Sequence, residues 1–268
     1  DWHDASTYGT NLIDKIIPKR NFPFPKSLYA VEDTLRFYVG SKKDALIVDF
    51  FSGSGTTLHA VNLLNTEDGG RRRCVMVTNN EVSEAEIKSL TKKGLHPGDE
   101  EWESFGIARY ITWPRTVCAI EGHDTNGVPL KGDYLGVDRP MSAGFPANAA
   151  FFKLSFLDKT SVALGRQFRE LLPVLWMKGG AIGKCPALEN DDLPNMLILP
   201  QNKMAVLVDE IYYSEFDAEL SQHPEIQTVF IVTDSETAYR SMIRTYDGKD
   251  CYQLYRDYLD NFRINTGR

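Results

Sequence analysis

Apolar positions near the start of the chain follow two different spacings. Leu28, Val31 and Leu35 recur at helical spacing after Ser27, a residue type that caps helices, so a helix is predicted to begin there. Residues 45–51 form a short and almost continuous apolar run. Such a run predicts a strand buried on both faces of a parallel sheet.

Helical and strand patterns then alternate along the chain. After a turn at residues 52–57, we predict a helix over 57–64, a strand over 73–78, a helix over 84–93 and a third strand over 106–113. This alternation is typical of an α/β doubly wound sheet.

A second series of elements follows a glycine-rich stretch. Residues 121–145 carry several glycines and are predicted to form a connecting loop or hairpin. Beyond it, the pattern predicts a second βαβα unit. Its predicted elements are a helix over 161–177 containing Pro173, a strand over 204–209, a helix over 214–220, a strand over 228–233, and helices over 235–243 and 252–262.

These patterns divide the chain into three parts. We expect an α/β domain over residues 1–122, a connecting segment over 123–145 and a smaller C-terminal α/β domain over 146–268 that serves assembly or interaction.

Composition excludes several classes of protein. The chain has no apolar run of about 18 residues and no secretory signal, so no membrane span is predicted. Its four cysteines lie far apart without a C-x-x-C pair, which argues against structural zinc and fits reduced thiols in the cytoplasm, with one disulfide left open. The net charge of −7 is unlike that of a free-standing nucleic-acid binder. The basic run at residues 71–73 is interpreted as a solvated strand entrance.

Residues 49–57, Asp-Phe-Phe-Ser-Gly-Ser-Gly-Thr-Thr, carry the clearest chemical signal. They follow the predicted buried strand, where open α/β sheets bind ligands. Gly53 and Gly55 permit positive φ and close backbone approach, and the N-terminus of the next helix offers free N–H groups to an anion. Asp49 adds a negative charge that an ammonium would satisfy. A ligand with both an ammonium and a carboxylate therefore fits better than a pyrophosphate.

Two common nucleotide-binding motifs do not match this segment. A Walker phosphate loop needs Lys where Thr56 stands, and a dinucleotide fingerprint needs a third glycine where Leu58 stands. A tight turn without a ligand remains the alternative. Residues 24–27, Phe-Pro-Lys-Ser, precede a helix, and the alternative there is that they only mark the start of that helix and bind no ligand. Residues 78–81 follow the second strand and either reach a ribose, as acidic groups do in dinucleotide folds, or form a polar loop with a cap.

Taken together, these segments resemble the amino-methylating DNA methyltransferases. Among them, the chain is similar to the β-class adenine-N6 enzymes, such as the modification subunits of type III restriction systems. In that class the catalytic segment comes first and the S-adenosylmethionine (SAM) segment last, and the order found here matches it. The resemblance rests on residues 21–28, 49–57 and 72–81, with further likeness at 9–11, 108–115 and 252–259.

The resemblance implies a partial Rossmann-like SAM-methyltransferase sheet over residues 1–122, followed by the second small α/β domain. Asp49 would contact the methionine ammonium above a backbone floor at residues 53–56, and Phe51 would pack on the cofactor. Residues 25–27 would close over the methionine end, with Lys26 or the Ser27 cap near its carboxylate. The implied SAM-binding residues are Phe24, Pro25, Lys26, Ser27, Asp49, Phe51, Gly53, Ser54, Gly55, Thr56, Asn80 and Glu81.

Two positions depart from the family pattern. Many members have Glu or Asp where Thr78 stands, so the ribose hydroxyls would fall to Glu81 or Asn80. Phe50 stands where the commonest pattern has Pro, although the type III relatives accept Phe.

The catalytic segment of these enzymes, of the Asp-Pro-Pro-Tyr type, does not occur in the 268 residues. Its first residue accepts a hydrogen bond from the target amine, and its Tyr stacks on the extruded base. In the permuted order it would lie upstream of Asp1, together with the target-recognition region. We therefore expect a C-terminal fragment without catalytic residues or a metal site, which contacts DNA only through the rest of its parent protein.

Missing upstream strands would also leave residues 45–51 as an unpaired strand edge, and such edges recruit partners. We expect self-association or a covering segment at this strand, with a homodimer or a restriction or helicase subunit as partner.

Two hypotheses of function follow. The first is the SAM-binding part of a site-specific adenine-N6 methyltransferase from a restriction-modification or phage-defence system. The alternative is a non-catalytic interaction or assembly module with a vestigial SAM site, and measurable SAM binding discriminates between the two. A complete small-molecule methyltransferase does not explain the absent catalytic strands.

Overall fold

The computed structural model describes residues 3–20, 22–154, 167–188 and 193–254. The chain divides into two compact units, residues 1–151 and 152–268. Each unit combines helices with parallel strands, which confirms the predicted α/β class.

The first unit contains a two-stranded parallel sheet and a set of helices. Its strands pair from Leu46 with Arg73 to Asp49 with Met76. In chain order the elements are α1 (Asn11–Ile16), α2 (Leu28–Val39), β1 (Leu46–Asp49), α3 (Thr56–Asp68), β2 (Arg73–Met76), α4 (Glu84–Lys92), α5 (Glu100–Ser104) and α6 (Trp113–Glu121), with π-helical turns at Ser6–Thr10 and Ala108–Thr112.

Helices and the glycine-rich loop share one apolar core in this unit. Helix α2 begins as predicted, because the Ser27 side chain accepts a hydrogen bond from the Ala30 N–H. Residues 123–145 pack onto this core through several buried side chains. Core residues from the helices and the loop include Leu12, Ile13, Ile16, Leu28, Leu63, Ile111, Cys118, Leu130, Tyr134, Met141 and Phe145.

The prediction of a third strand over residues 106–113 is wrong. These residues end in a π-helical turn that continues into α6, with Pro114 in the first turn of α6. The helical spacing of buried positions becomes visible only when the pattern is followed to residue 119. Those buried positions are Ala108, Ile111, Thr112, Arg115, Thr116, Cys118 and Ala119.

The prediction that residues 45–51 are buried on both faces is also wrong. Side chains on one side of the β1–β2 sheet, with those that continue it past the strand ends, are between 42% and 67% exposed. They are Leu46, Val48, Phe50, Val75 and Val77, which we name the open face.

Among the described residues β1 pairs only with β2, so the predicted unpaired edge is present. The predicted covering segment is not found in that part of the chain. Self-association at this strand stays a prediction.

Arg72 corrects the interpretation of residues 71–73 as a solvated strand entrance, because its side chain is fully buried. Its guanidinium donates to the carbonyl oxygens of Val39 (3.1 Å) and Gly40 (2.8 Å) at the end of α2. It also forms two hydrogen bonds to the Asp68 carboxylate, at 3.0 and 2.8 Å. These bonds hold the pKa of Asp68 below its usual range. Arg72 therefore joins the ends of α2 and α3 to the start of β2.

The second unit is a four-stranded sheet in the order β3-β4-β5-β6. Strand β3 runs antiparallel to β4, whereas β4, β5 and β6 are parallel. Its elements are α7 (Gln167–Lys178), β3 (Met196–Leu199), β4 (Met204–Leu207), α8 (Tyr213–Leu220), β5 (Thr228–Val232), α9 (Glu236–Met242) and β6 (Asp250–Leu254).

Helices cover both faces of this sheet, so β4 and β5 are wholly buried. Ala205 and Ile231 belong to the cluster with α8 and α9, and Met204 and Phe230 belong to the cluster with α7. The predicted second βαβα unit is confirmed over residues 204–243.

Two details of this unit differ from the sequence patterns. Residues 252–254 form the end of β6 rather than the start of a helix, because Cys251 and Tyr252 pack into the clusters on opposite faces of the sheet. The rest of that predicted helix, residues 255–262, lies outside the described residues, as do residues 161–166 of the helix that contains Pro173. Strand β3 was not predicted.

Replacing Arg72 by Met should lower the stability of the first unit by about 3 kcal/mol, because Asp68 and two helix-end carbonyls lose their partner. Urea unfolding measures this change. Arg71→Met alters an exposed neighbour and serves as the control, with an expected change within about 0.5 kcal/mol. Equal effects of the two substitutions would contradict the role given to Arg72.

A buried carboxylate should make this unit sensitive to pH. Glu32 is 3% exposed on α2, and its carboxylate lies 3.2 Å from Arg36, which also binds Glu67 of α3. Burial outweighs the pairing with Arg36 and raises the pKa of Glu32 from 4.5 to about 7.

A raised carboxyl pKa means that the folded state holds a proton that the unfolded state releases, so stability should fall as pH rises from 4.5 through about 7. Glu32→Gln should remove this fall when urea unfolding is compared at several pH values. Asp33→Asn, at a half-exposed partner of the same arginine, should keep it. An unchanged pH dependence in Glu32→Gln would show that Glu32 does not cause the fall in stability.

Candidate functional site

A bend of residues 50–56, the glycine bend, connects β1 to α3 and includes Thr56, the first residue of α3. Gly53 (φ 49°) and Gly55 (φ 77°) both adopt the left-handed conformation, which confirms the predicted positive φ. The Gly55 N–H donates to the Ser52 carbonyl at 2.7 Å and closes the turn. Gly55 is the N-cap of α3, and since glycine has no side chain it offers no acceptor to the N–H groups of the first turn. The N-terminus of α3 therefore retains its affinity for an anion.

Asp49 lies at the end of β1 beside the first turn of α3. One carboxylate oxygen accepts a hydrogen bond from the Thr57 hydroxyl at 2.5 Å, and the other accepts one from the Phe51 N–H at 3.2 Å. The side chain remains partly exposed. These bonds fix the orientation of a carboxylate that still has lone pairs for a cationic ligand.

The proline-containing segment lies next to the glycine bend. A Cβ placed on Gly53 would lie 3.2 Å from the ring of Phe22. Further along, Phe24 is 93% exposed with a positive φ of 55°, Pro25 is buried and Lys26 is exposed. The structure thus brings two of the three predicted motifs together.

Predicted site residues within the bend differ in how they can meet a ligand. Phe51 is 93% exposed. Ser54 and Thr56 are 4% exposed, and their hydroxyls accept hydrogen bonds from Nη1 of Arg115 at 2.9 and 2.7 Å. Because these side chains are turned inward, Ser54 and Thr56 can meet an outside ligand only through their backbone. The Ser27 side chain is likewise used as the cap of α2.

The third motif, residues 78–81, is held in place by hydrogen bonds to residues 103–109. The Asn80 amide group donates to the Glu103 carbonyl at 2.7 Å and to its carboxylate at 2.9 Å, and accepts from the Arg109 N–H at 3.2 Å. Glu81 is exposed, and its backbone carbonyl accepts from the Ile107 N–H at 2.9 Å. Of the two predicted ribose ligands, Glu81 is thus the one with an exposed side chain, whereas Asn80 is engaged within the protein.

Residues 106–115, which we name the bridging segment, contact the glycine bend, the motif at residues 78–81 and the residue just before the proline-containing segment. The Thr112 hydroxyl donates to the Gly53 carbonyl, and Arg115 binds the next residues of the bend. Gly106 admits Asn80, because a Cβ there would lie 2.2 Å from the Asn80 side chain. The backbone carbonyl of Tyr110 accepts from Arg20, just before the proline-containing segment, at 2.7 Å.

Sequence reasoning missed the roles of Thr112 and Arg115, although the sequence contains a signal for them. Both residues belong to the stretch 108–115 that resembles the methyltransferases. Residues 106–113 were predicted as a strand, which hid that Thr112 and Arg115 are three residues apart on one helical face.

The charge of Arg115 is unusual because the residue is 1% exposed and, among the described residues, forms no salt bridge with a carboxylate. Its Nε and Nη2 atoms have no hydrogen-bond partner there. Burial lowers the pKa of Arg115 to about 10, so the guanidinium stays charged at neutral pH. Nearby His59 is buried against the Tyr134 hydroxyl at 2.8 Å, and burial together with Arg115 lowers its pKa. His59 therefore packs as a neutral ring.

Other kinds of site receive no support within the described residues. No group of His, Cys, Asp or Glu there is placed to hold a metal ion. The four cysteines are free thiols. No helix in the described part of the chain has the length and apolar character needed to cross a membrane.

Part of the chain is similar to known restriction-modification methyltransferases. It is 43% identical over 82 residues to the type II methyltransferase M.KpnI of Klebsiella pneumoniae. It is 35% identical over 78 residues to the Mod subunit of the type III enzyme EcoPI of Escherichia phage P1. It is 42% identical over 57 residues to the Mod subunit of the type III enzyme StyLTI of Salmonella typhimurium. These similarities confirm the resemblance to this class of methyltransferase.

The matches cover 30%, 29% and 21% of this chain and only 19%, 12% and 8% of the three relatives. The chain thus spans less than a fifth of the length of each relative in the matched part. No protein-family model matches the chain.

Replacing Gly55 by Ala should destabilise the first unit more than the same change at Gly69. Both glycines are left-handed, at φ 77° and 69°, so each substitution carries a backbone cost of about 1 kcal/mol. At Gly55 the new Cβ would also lie 3.2 Å from the Thr112 methyl group, whereas Gly69 has nothing within 4 Å. Urea unfolding of the two variants measures the difference. Equal losses in the free energy of unfolding would show that contact with Thr112 adds nothing to the cost at Gly55.

Proposed function

We propose that this chain is the SAM-binding portion of a site-specific DNA adenine-N6 methyltransferase from a restriction-modification or phage-defence system. The observation that carries the proposal is the glycine bend, which places a partly exposed carboxylate, Asp49, beside the uncapped N-terminus of α3. SAM has an ammonium and a carboxylate on one carbon atom. One end of the molecule therefore carries a positive charge for Asp49 and a negative charge for the N-terminus of α3. Similarity to restriction-modification methyltransferases supports the same conclusion.

The residues present fit the methionine end of SAM. Asp49 would accept hydrogen bonds from the ammonium, and the N–H groups at the start of α3 would bind the carboxylate. Exposed Lys26 would add a positive charge near that carboxylate. Pro25 and the Ser27 cap would shape the segment that closes over it.

The nucleoside end of SAM would lie against exposed groups around the bend. Phe51 and Phe24, each 93% exposed, offer aromatic faces for the cofactor. Glu81 would accept hydrogen bonds from the ribose hydroxyls, as acidic groups do in related nucleotide folds. Asn80 would hold the backbone next to Glu81 in place through its hydrogen bonds to Glu103 and Arg109.

When bound, SAM supplies the methyl group, and the residues of this chain hold and orient it. The Asp-Pro-Pro-Tyr segment that would bind the target adenine is missing from the sequence. DNA would therefore be bound by the rest of the parent protein, in the cytoplasm. A second copy of the chain or a restriction or helicase subunit would associate with the unpaired edge at β1.

One observation favours the alternative, a non-catalytic interaction or assembly module with a vestigial SAM site. Asn80 is used internally, and Thr78 stands where many relatives have an acidic residue. If Glu81 does not replace that residue, the ribose has no ligand here. Binding of SAM decides between the two functions.

Titration calorimetry with SAM should show binding to the 268-residue chain. Asp49→Asn should weaken that binding at least about tenfold, the effect of losing one hydrogen bond to a charged group. Asp44→Asn, at an exposed aspartate just before β1, is the matched control and should leave the affinity unchanged. No heat of binding at millimolar SAM would favour the alternative function.

The same chain should not methylate unmodified DNA when radiolabelled SAM is supplied. Turnover would show that catalytic residues are present within these residues and would refute the proposed division of roles.

A further inference from the structure

The glycine bend is held from its inner side by one short helical stretch. Thr112 binds the carbonyl oxygen of Gly53, and Arg115, one helical turn later, binds the hydroxyls of Ser54 and Thr56 and the Ser54 carbonyl at 3.3 Å. Three residues, Gly53, Ser54 and Thr56, are thus bound by two side chains.

The bend needs these contacts because its backbone has high conformational freedom. Two left-handed glycines give it more conformational freedom than other residues would. Its backbone hydrogen bonds include those from the Gly55 N–H to Ser52 (2.7 Å), from the Ser52 N–H to Val77 (3.3 Å) and from the His59 N–H to Gly55 (3.5 Å). A site with such freedom loses entropy when a ligand orders it, and groups that order it beforehand raise the affinity.

Thr112 also sets the direction of a backbone donor. A trans peptide unit directs its C=O and the following N–H to opposite sides. Holding the Gly53 carbonyl against Thr112 therefore directs the Ser54 N–H away from the bridging segment.

Arg115 strengthens the same attachment with a buried charge. Hydrogen bonds from a charged donor are about twice as strong as neutral ones. A buried guanidinium without a carboxylate partner is costly to keep, and in the described structure its bonds go to the bend alone.

From these contacts we infer that Thr112 and Arg115 are positioning residues, which fix the shape of the glycine bend for SAM without touching the cofactor. The inference takes its ligand, SAM, from the proposed function. The positioning itself rests on the hydrogen bonds to the bend.

Two measurements on the 268-residue chain test it. Hydrogen exchange read by mass spectrometry, on peptides that cover residues 50–58, reports the order of the bend. Calorimetry reports the affinity for SAM. The variants are Thr112→Val, which keeps the shape and removes the hydroxyl, and Arg115→Lys, which keeps a charge and loses the planar fork of donors.

Each variant should raise the exchange rate of the 50–58 peptides while peptides of the second unit keep theirs. Each should also weaken SAM binding about tenfold, because the ligand must then order the bend at a cost comparable to the lost internal hydrogen bond. If Arg115→Lys does not fold, Thr112→Val carries the test alone.

Arg72→Lys is the matched control, because Arg72 is also a buried arginine but binds the opposite end of α3. It should lower the melting temperature and leave both the exchange of the 50–58 peptides and the affinity for SAM unchanged. Unchanged exchange in Thr112→Val and Arg115→Lys would overturn the inference, and so would an equal loss of SAM affinity in Arg72→Lys.

The two proposals fail in different ways. If the unaltered chain binds no SAM, the proposed function fails, and the exchange rates still decide whether Thr112 and Arg115 order the bend.

Discussion

The hydrogen bonds from Thr112 and Arg115 to the glycine bend are the interactions that connect the parts of the candidate site. Through them, residues 106–115 connect the end of β1 with the start of α3, and the same segment binds the polar residues after β2. Motifs that are far apart in the sequence therefore share one support. Since each contact uses a backbone carbonyl, a hydroxyl or an amide, the support fixes positions and leaves the charge of Asp49 available for a ligand.

A buried arginine binds each end of helix α3, and the two differ in how their charge is balanced. Arg72 pairs with Asp68 and with carbonyl groups at the end of α2, so its charge is compensated. Arg115 binds neutral oxygens near the N-terminus of the helix. The second arrangement adds positive potential at the end of α3 where the helix dipole is already positive, and this favours an anionic ligand group at that end.

Much of the site could be predicted from the sequence because its signals are local. Ser27 as a cap, glycines at positive φ and an aspartate at a strand end depend on neighbouring residues, and the structure agrees with each. The bridging segment could not be predicted in the same way, since its role depends on contacts with residues about 30 to 60 positions away. Burial of β1 was overestimated for a related reason: an apolar run predicts a covered strand, but cannot show what covers it.

The most direct test of the proposed site is a crystal structure of the 268-residue chain with S-adenosylhomocysteine, which has the amino-acid and nucleoside groups of SAM. We expect its ammonium within hydrogen-bonding distance of the Asp49 carboxylate, its carboxylate at the first turn of α3, and Thr112 and Arg115 still bound to the inner side of the bend. A ligand bound elsewhere, or a bend that must leave Thr112 and Arg115 to admit it, would contradict both the site and its support.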